Sequence, residues 1–151
     1  MSVGPICDSV GGSMSESPAR LPIAVVGAHL EGQPLHHQLT ERDAVLVAHT
    51  TTSPDYRLYA LDTVPPKPGL VRTVDGDGAC IEVEVYALDA AAFGTFVAAI
   101  PPPLAIGTVT LADGTDVSGF VCEPYALGDA PEITGHGGWR AYLASIGRTM
   151  P

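Results

Sequence analysis

Lys67 is the single lysine in 151 residues, and it stands between Pro66 and Pro68 in VPPKPGLVR, Val64 to Arg72. The prolines fix backbone angles on both sides and so restrict where the ammonium group points. A positioned ammonium holds an anion or gives up a proton. The six other Lys/Arg positions are all arginine, so lysine is not this chain's generic surface cation. The plainer reading of the same stretch is a stiff, polyproline-like surface connector. A second candidate is the loop VGAHLEG, Val26 to Gly32, where an apolar run ends at Gly27. Glycine there lets backbone N–H groups turn toward a ligand, and such groups bind carboxylate or phosphate. His29, at the mouth of that loop, would donate a proton near neutral pH. An exposed histidine on an ordinary turn would look the same in sequence. Glu123, just before Pro124, reads either as a pocket acid or as the polar edge of a strand.

Other chemistries lack their residues. His36 and His37 are adjacent and cannot face one another as ligands one helical turn apart do. Cys7, Cys80 and Cys122 are widely spaced without a CxxC pattern, so free thiols are expected and no metal. Cys80 and Cys122 fall in apolar strand-like segments, where a buried, inert thiol is the expectation. No GxSxG sequence and no supported Cys–His pairing supplies an acyl-transfer nucleophile. No cofactor is expected. With 17 acidic and 7 basic side chains the formal net charge is −10, which argues against nucleic acid and against anionic membrane surfaces. The apolar runs fall well short of the ~20 residues that span a bilayer.

The elements that must position these residues follow from pattern. MSVGPICDSVGGSMSESPAR, residues 1–20, reads as a disordered Gly/Ser/Pro leader with no signal-peptide character, and a cytoplasmic location is expected. Leu21–His29, Ala44–Thr51 and Tyr56–Asp62 read as strands. ACIEVEVYALD alternates clearly, with Cys80, Glu82, Glu84 and Tyr86 on one face and Ile81, Val83, Val85 and Ala87 on the other. Asp89 caps a helix over AAAFGTFVAAI that must stop at Pro101–Pro103. A hairpin turns at Asp113-Gly114, and a last helix runs from near Trp139 to Gly147. These elements predict one α+β domain over residues 21–147, followed by a short tail at 148–151. Its strands form a small mixed, mainly antiparallel β-barrel with two peripheral helices.

Four stretches taken in order, PIAVVGAHLEGQPLHHQL, YRLYALDTVPPKPGLVR, FVAAIPPPLAIGTVTLADGTDVSGFVCEP and ITGHGGWRAYL, resemble the C-terminal domain of allophanate hydrolase. The resemblance runs from about Leu21 to Leu143. It implies the γ-glutamylcyclotransferase fold. In that superfamily the first-strand loop reads Tyr-Gly-Ser-polar-Leu, and its amides hold the substrate carboxylate. Here the loop is Val26-Gly27-Ala28-His29-Leu30, which keeps the glycine alone of the first three. The cyclotransferase glutamate has no counterpart, since no acid lies between Asp89 and Asp113.

The Ser–Ser–Lys signature of the amidase half also has no counterpart, so no amidase activity is expected of this sequence. The resemblance implies action on a small anionic carbamate or urea-derived compound, of the N-carboxycarbamate decarboxylation type. On that reading the amides of Gly27, Ala28 and Leu30 hold a carboxylate. Lys67 and His29 supply charge and proton, Glu123 is a further acid, and Tyr59 and Pro68 line the site. The alternatives are a non-catalytic module that binds an amidase in trans, and a γ-glutamyl amine lyase or cyclotransferase using Glu82, Glu84 or Glu123. Homodimerisation is the remaining partner expectation.

Overall fold

In the computed structural model, residues 20–74 and 76–147 are described. The chain runs β1 (Arg20–Val25), a one-turn α1 (His37–Thr40), β2 (Val45–Thr51), β3 (Tyr56–Leu61) and β4 (Lys67–Arg72). It continues with β5 (Glu82–Asp89), α2 (Ala90–Ala98), β6 (Leu104–Thr110), β7 (Asp116–Cys122) and α3 (Trp139–Ser145). Short 3₁₀ turns cover Pro124–Ala126 and Thr134–His136. The predicted leader lies outside the described residues, apart from Arg20, which opens β1; Cys7 and the tail lie outside them as well.

The larger sheet has the order β2–β5–β1–β7–β6. β5 lies antiparallel to β1 and to β2, and β6 and β7 form the expected hairpin, with Gly114 at φ 89°. Only the β1–β7 pair is parallel, so the sheet is mixed and mainly antiparallel. β3 and β4 form a separate two-stranded sheet, and β4 packs against β7. One contiguous core joins both sheets, with Ile23, Val25, Leu58, Leu70, Val83 and Val109 inside it. The α+β class is as expected, but no barrel closes. The edge strands β2 and β6 meet at one end only, through the isolated Thr52–Leu111 bridge and the Ser53 N–H to Thr110 carbonyl bond of 2.9 Å.

The stretch holding Lys67 is not a surface connector. Lys67–Arg72 is a strand, paired residue for residue with β3. Pro68 stands opposite Ala60, whose N–H points away from β4 to the Pro131 carbonyl at 2.9 Å. Pairs of that kind exchange no ladder bonds, so the missing proline N–H leaves no acceptor unmatched. The β5 alternation is as read, but both of its faces are covered: Ile81, Val83 and Val85 are buried, and so are Glu84 and Tyr86. Cys122 is buried as expected. Cys80 is exposed and precedes β5, so it is not an interior strand thiol.

α2 packs on β1 and β5 and buries Phe96. Asp89 adopts an extended conformation and its side chain accepts from the Ala92 N–H at 2.8 Å, satisfying one of the otherwise unpartnered first-turn donors. Asp89→Ala therefore lowers unfolding stability by about 1 kcal/mol, read as a shifted urea midpoint at unchanged slope.

Candidate functional site

Beyond Val25 the chain leaves β1 and folds back on itself. The Leu30 N–H donates to the Gly27 carbonyl at 3.0 Å, and the Leu35 N–H to the Ala28 carbonyl at 2.8 Å. Gly27 is required here by contact: a Cβ on it would lie 2.1 Å from Cδ and 2.4 Å from Cγ of Pro68. The proline ring fills the space that a side chain would take, and this brings Lys67, its neighbour on β4, against the end of β1. A recess of about 230 Å³, counted with its open mouth, results from that contact. Val26, Gly27, Ala28, His29, Lys67 and Pro68 line it, with Leu104 and Phe120 completing the wall. Its inner end has room for roughly one water-sized guest.

Lys67 is 6% exposed as a residue and makes no ion pair or side-chain hydrogen bond among the described residues; its Nζ is not one of the fully enclosed unpartnered atoms, so the ammonium meets solvent at the recess mouth. Burial lowers its ammonium pKa from the usual lysine value. A buried lysine without a carboxylate carries a desolvation penalty that an anionic guest would offset. The N–H groups of Gly27, Ala28 and His29 donate to no backbone carbonyl among the described residues. The Leu30 amide, expected to join them, is committed to the Gly27 carbonyl, and the Leu30 side chain is in the core.

His29 is not the neutral-pH acid that the sequence implied. Its ring is 6% exposed and lies 5.0 Å from both the Phe96 and the Phe120 ring centroids. Burial pushes its pKa down to about 4, the Lys67 charge adds to this, and a hydrogen bond to Gln38 opposes it only in part. The imidazole is therefore neutral at pH 7. With Nε2–H assigned as donor to Gln38 Oε1 at 2.8 Å, the acceptor is Nδ1. Gln38 escaped the sequence reading because a glutamine in a polar loop carries no signal; the partner it holds is visible only in three dimensions.

The remaining candidates are elsewhere. Glu123 is exposed and does not line the recess. Its charge, after burial, is the second cause that raises the Cys122 thiol pKa. Tyr59 is half-buried on β3, opposite Gly69, and bridges to Glu132 outside the recess. No group of three or more His, Cys, Asp and Glu side chains is placed to hold a metal ion among the described residues.

A polar cluster secures the loop from its far side. Glu84, 3% exposed, accepts from the Glu31 N–H at 2.9 Å, the Tyr86 hydroxyl at 2.9 Å and Arg140 at 2.8 Å. Arg140 also donates to Glu82 at 2.9 Å and to the Glu31 carbonyl at 2.9 Å, and His49 pairs with Glu82 at 2.6 Å. Burial alone would raise the Glu84 carboxyl, but the Glu31 amide, Arg140 and Tyr86 outweigh it and hold the pKa below the usual range. Tyr86 moves the other way, raised by burial and by Glu84, and stays a donor. Glu82 and Glu84 are thus committed to Arg140 and lie outside the recess. Arg140 was missed, although ITGHGGWRAYL had marked its surroundings.

Two substitutions follow. Gly27→Ala forces Pro68 away and lowers stability by about 1–3 kcal/mol, while cross-peaks of residues 26–29 and 67–69 shift most in amide NMR spectra. Arg140→Ala strands a buried carboxylate and lowers stability by about 3 kcal/mol. Because the folded Glu84 pKa is depressed, its contribution is present above the unfolded carboxylate pKa and lost as pH falls through the folded one. The wild-type advantage over Arg140→Ala accordingly shrinks on acidification, as unfolding midpoints across pH will record.

The allophanate hydrolase C-terminal domain profile matches residues 21–144, which include every residue of the recess and of the Arg140 cluster. The chain is 42% identical over 149 residues to urea amidolyase of Saccharomyces cerevisiae, covering 96% of this chain and 8% of that protein. It superposes on Kluyveromyces lactis allophanate hydrolase with a TM-score of 0.81 at 43% identity, covering 85% of this chain and 22% of that one. A uropathogenic E. coli-specific protein of similar length aligns with a TM-score of 0.77 at 31% identity, covering 83% of this chain and 97% of its own. This chain thus spans less than a tenth of the curated relatives it matches, and it has the γ-glutamylcyclotransferase-like arrangement, with its barrel open. By profile and by identity, the chain belongs to the allophanate hydrolase C-terminal domain family.

Proposed function

We propose that the recess binds a small dianionic carbamate and assists its decarboxylation, with no amidase activity in this chain. The observation that carries this reading is the unpaired, buried Lys67 beside the three unspent N–H groups of Gly27, Ala28 and His29. For an N-carboxycarbamate, one carboxylate would sit on those N–H groups while the other leaves as carbon dioxide. The bond between nitrogen and the departing carbon breaks, its electron pair stays on nitrogen, and nitrogen takes a proton. Lys67 is the donor: its ammonium is charged, adjacent and made more acidic by burial. Neutral His29 positions the loop and leaves that ammonium as the recess's single cation. The amine then regains a proton from solvent.

The cyclotransferase alternative requires a carboxylate at the reacting centre. The residues lining the recess include none, and Glu82, Glu84 and Glu123 lie outside it. A module acting with an amidase in trans is supported by a different observation: the matching relatives named urea amidolyase hold this domain within much longer chains. The first role is enzymatic and the second non-catalytic; a cytoplasmic location is part of the proposal for both.

Malonate, a stable dicarboxylate, tests the anion site by calorimetry. Lys67→Ala weakens its binding by at least tenfold, about 1.4 kcal/mol, and Lys67→Arg keeps part of it; unchanged affinity in Lys67→Ala removes the assignment. Affinity is full while Lys67 is protonated and declines as pH rises through its lowered pKa. It shows no step from His29 between roughly pH 5 and 8, because that ring is already neutral there.

A further inference from the structure

Lys67 is the chain's only lysine, and its side chain is largely buried with no carboxylate partner among the described residues. The recess it lines narrows to about the size of one water molecule and widens toward its mouth, and the N–H groups of Gly27, Ala28 and His29 in its lining donate to no backbone carbonyl among the described residues. Phe120 and Leu104 give the remaining wall an apolar surface. An amine in such a place does more than attract a carboxylate: it can acquire one.

We propose that Lys67 is a carbon dioxide-capture site, converted reversibly to N-carboxylysine, with the new carboxylate received by the Gly27, Ala28 and His29 amides. The neutral amine's lone pair attacks the carbon of carbon dioxide and a carbon–nitrogen bond forms. One C=O pair moves onto oxygen, and a proton leaves nitrogen for solvent at the recess mouth. No oxidant or other co-reactant is needed. Burial lowers the amine's pKa and so enlarges the neutral fraction that reacts. The low-dielectric wall also favours a linear, uncharged guest over hydrated bicarbonate.

The inference rests on reading the recess as an anion site, and it adds a regulatory consequence. Capture changes the charge at position 67 from +1 to −1, so a dianion is no longer attracted. Carbon dioxide released by the proposed reaction would then silence the site that released it.

The test uses the whole chain in ¹³C-bicarbonate buffer. A carbamate carbon signal beyond that of the N-terminal amine is expected in the wild type and is lost in Lys67→Arg, which keeps a cation but offers no ε-amine. Trapping the adduct by O-alkylation and mapping it by peptide mass locates it without any variant, since Lys67 is the sole lysine. Occupancy at Lys67 is expected to be several-fold higher in the folded chain than in guanidinium, where the recess is lost. No label at Lys67, or equal occupancy folded and unfolded, overturns the proposal. Malonate binding without label overturns capture and leaves the anion site standing. Label without malonate binding supports capture and removes the dicarboxylate.

Discussion

Pro68 lies so near Gly27 that the two positions must be considered as one unit, with the proline ring occupying the volume of the absent side chain. The same strand makes a second close approach at Gly69, where a Cβ would sit 3.0 Å from the Cβ and Sγ of Cys122 on β7. Between these contacts β4 is wedged against the larger sheet on the end of β1 and on the flank of β7. Lys67 precedes both by one and two residues, so its burial is a consequence of how β4 is seated. Packing at interior density around the stem leaves the recess mouth as the route by which the ammonium meets solvent. The site thus exists because two glycines allow a small sheet to lie close, and the lysine is carried in with it.

The molecule buries one carboxylate and one ammonium in its described core and treats them in opposite ways. Glu84 receives an arginine, a tyrosine hydroxyl and a backbone amide, so most of its acceptor capacity is used. Lys67 makes no ion pair and no side-chain hydrogen bond among the described residues, and its Nζ is not one of the fully enclosed unpartnered atoms, so water at the recess mouth reaches it. Glu84 is held by saturation with protein donors, and Lys67 by contact with solvent. Glu84 and Arg140 also hold the Glu31 amide and carbonyl, and so fix the loop whose other end forms the recess. The saturated cluster is the brace, and Lys67, without such partners among the described residues, lines the recess on the loop's other side.

Local signals in the sequence were enough for elements whose cause is local. Asp89 is followed by a good helix former and a proline stop, Asp113-Gly114 sits between alternating runs, and β5 shows period two; each appears where expected. β4 was illegible because Pro65 and Pro66 before it and Pro68 within it report stiffness equally well in a connector and in an edge strand. Only the direction of the Ala60 N–H, toward Pro131, distinguishes the two. The closed barrel failed for a related reason, since closure depends on whether β2 and β6 run alongside each other, and no residue in either strand states that. Within the site, Gly27, Ala28, His29, Lys67 and Pro68 converge because glycine and proline mark close backbone approach. Glu123 and Tyr59 do not converge, since strand ends give no indication of which face a following residue takes. His29 was located but its charge was misread, because the Phe96 and Phe120 rings that desolvate it come from distant parts of the chain.

The acidic surface and the cationic recess are compatible because they act over different distances. A formal charge of −10 repels small anions at long range, yet at physiological ionic strength that field decays over ~8 Å. Inside the recess the dielectric is low and a single ammonium acts at contact. A second cation there would weaken this arrangement, as two neighbouring positive charges compete for the same scarce solvation. Burial removes that competition by keeping His29 neutral, and Gln38 fixes the neutral ring by taking one of its nitrogens. What remains is one charge in a lining that holds no acid, beside a loop whose Gly27, Ala28 and His29 N–H groups have no backbone acceptor among the described residues. On the proposed reading, such an arrangement would discriminate by local geometry, favouring a guest small enough to bring one carboxylate to a narrow opening over the polyanions that net charge already repels.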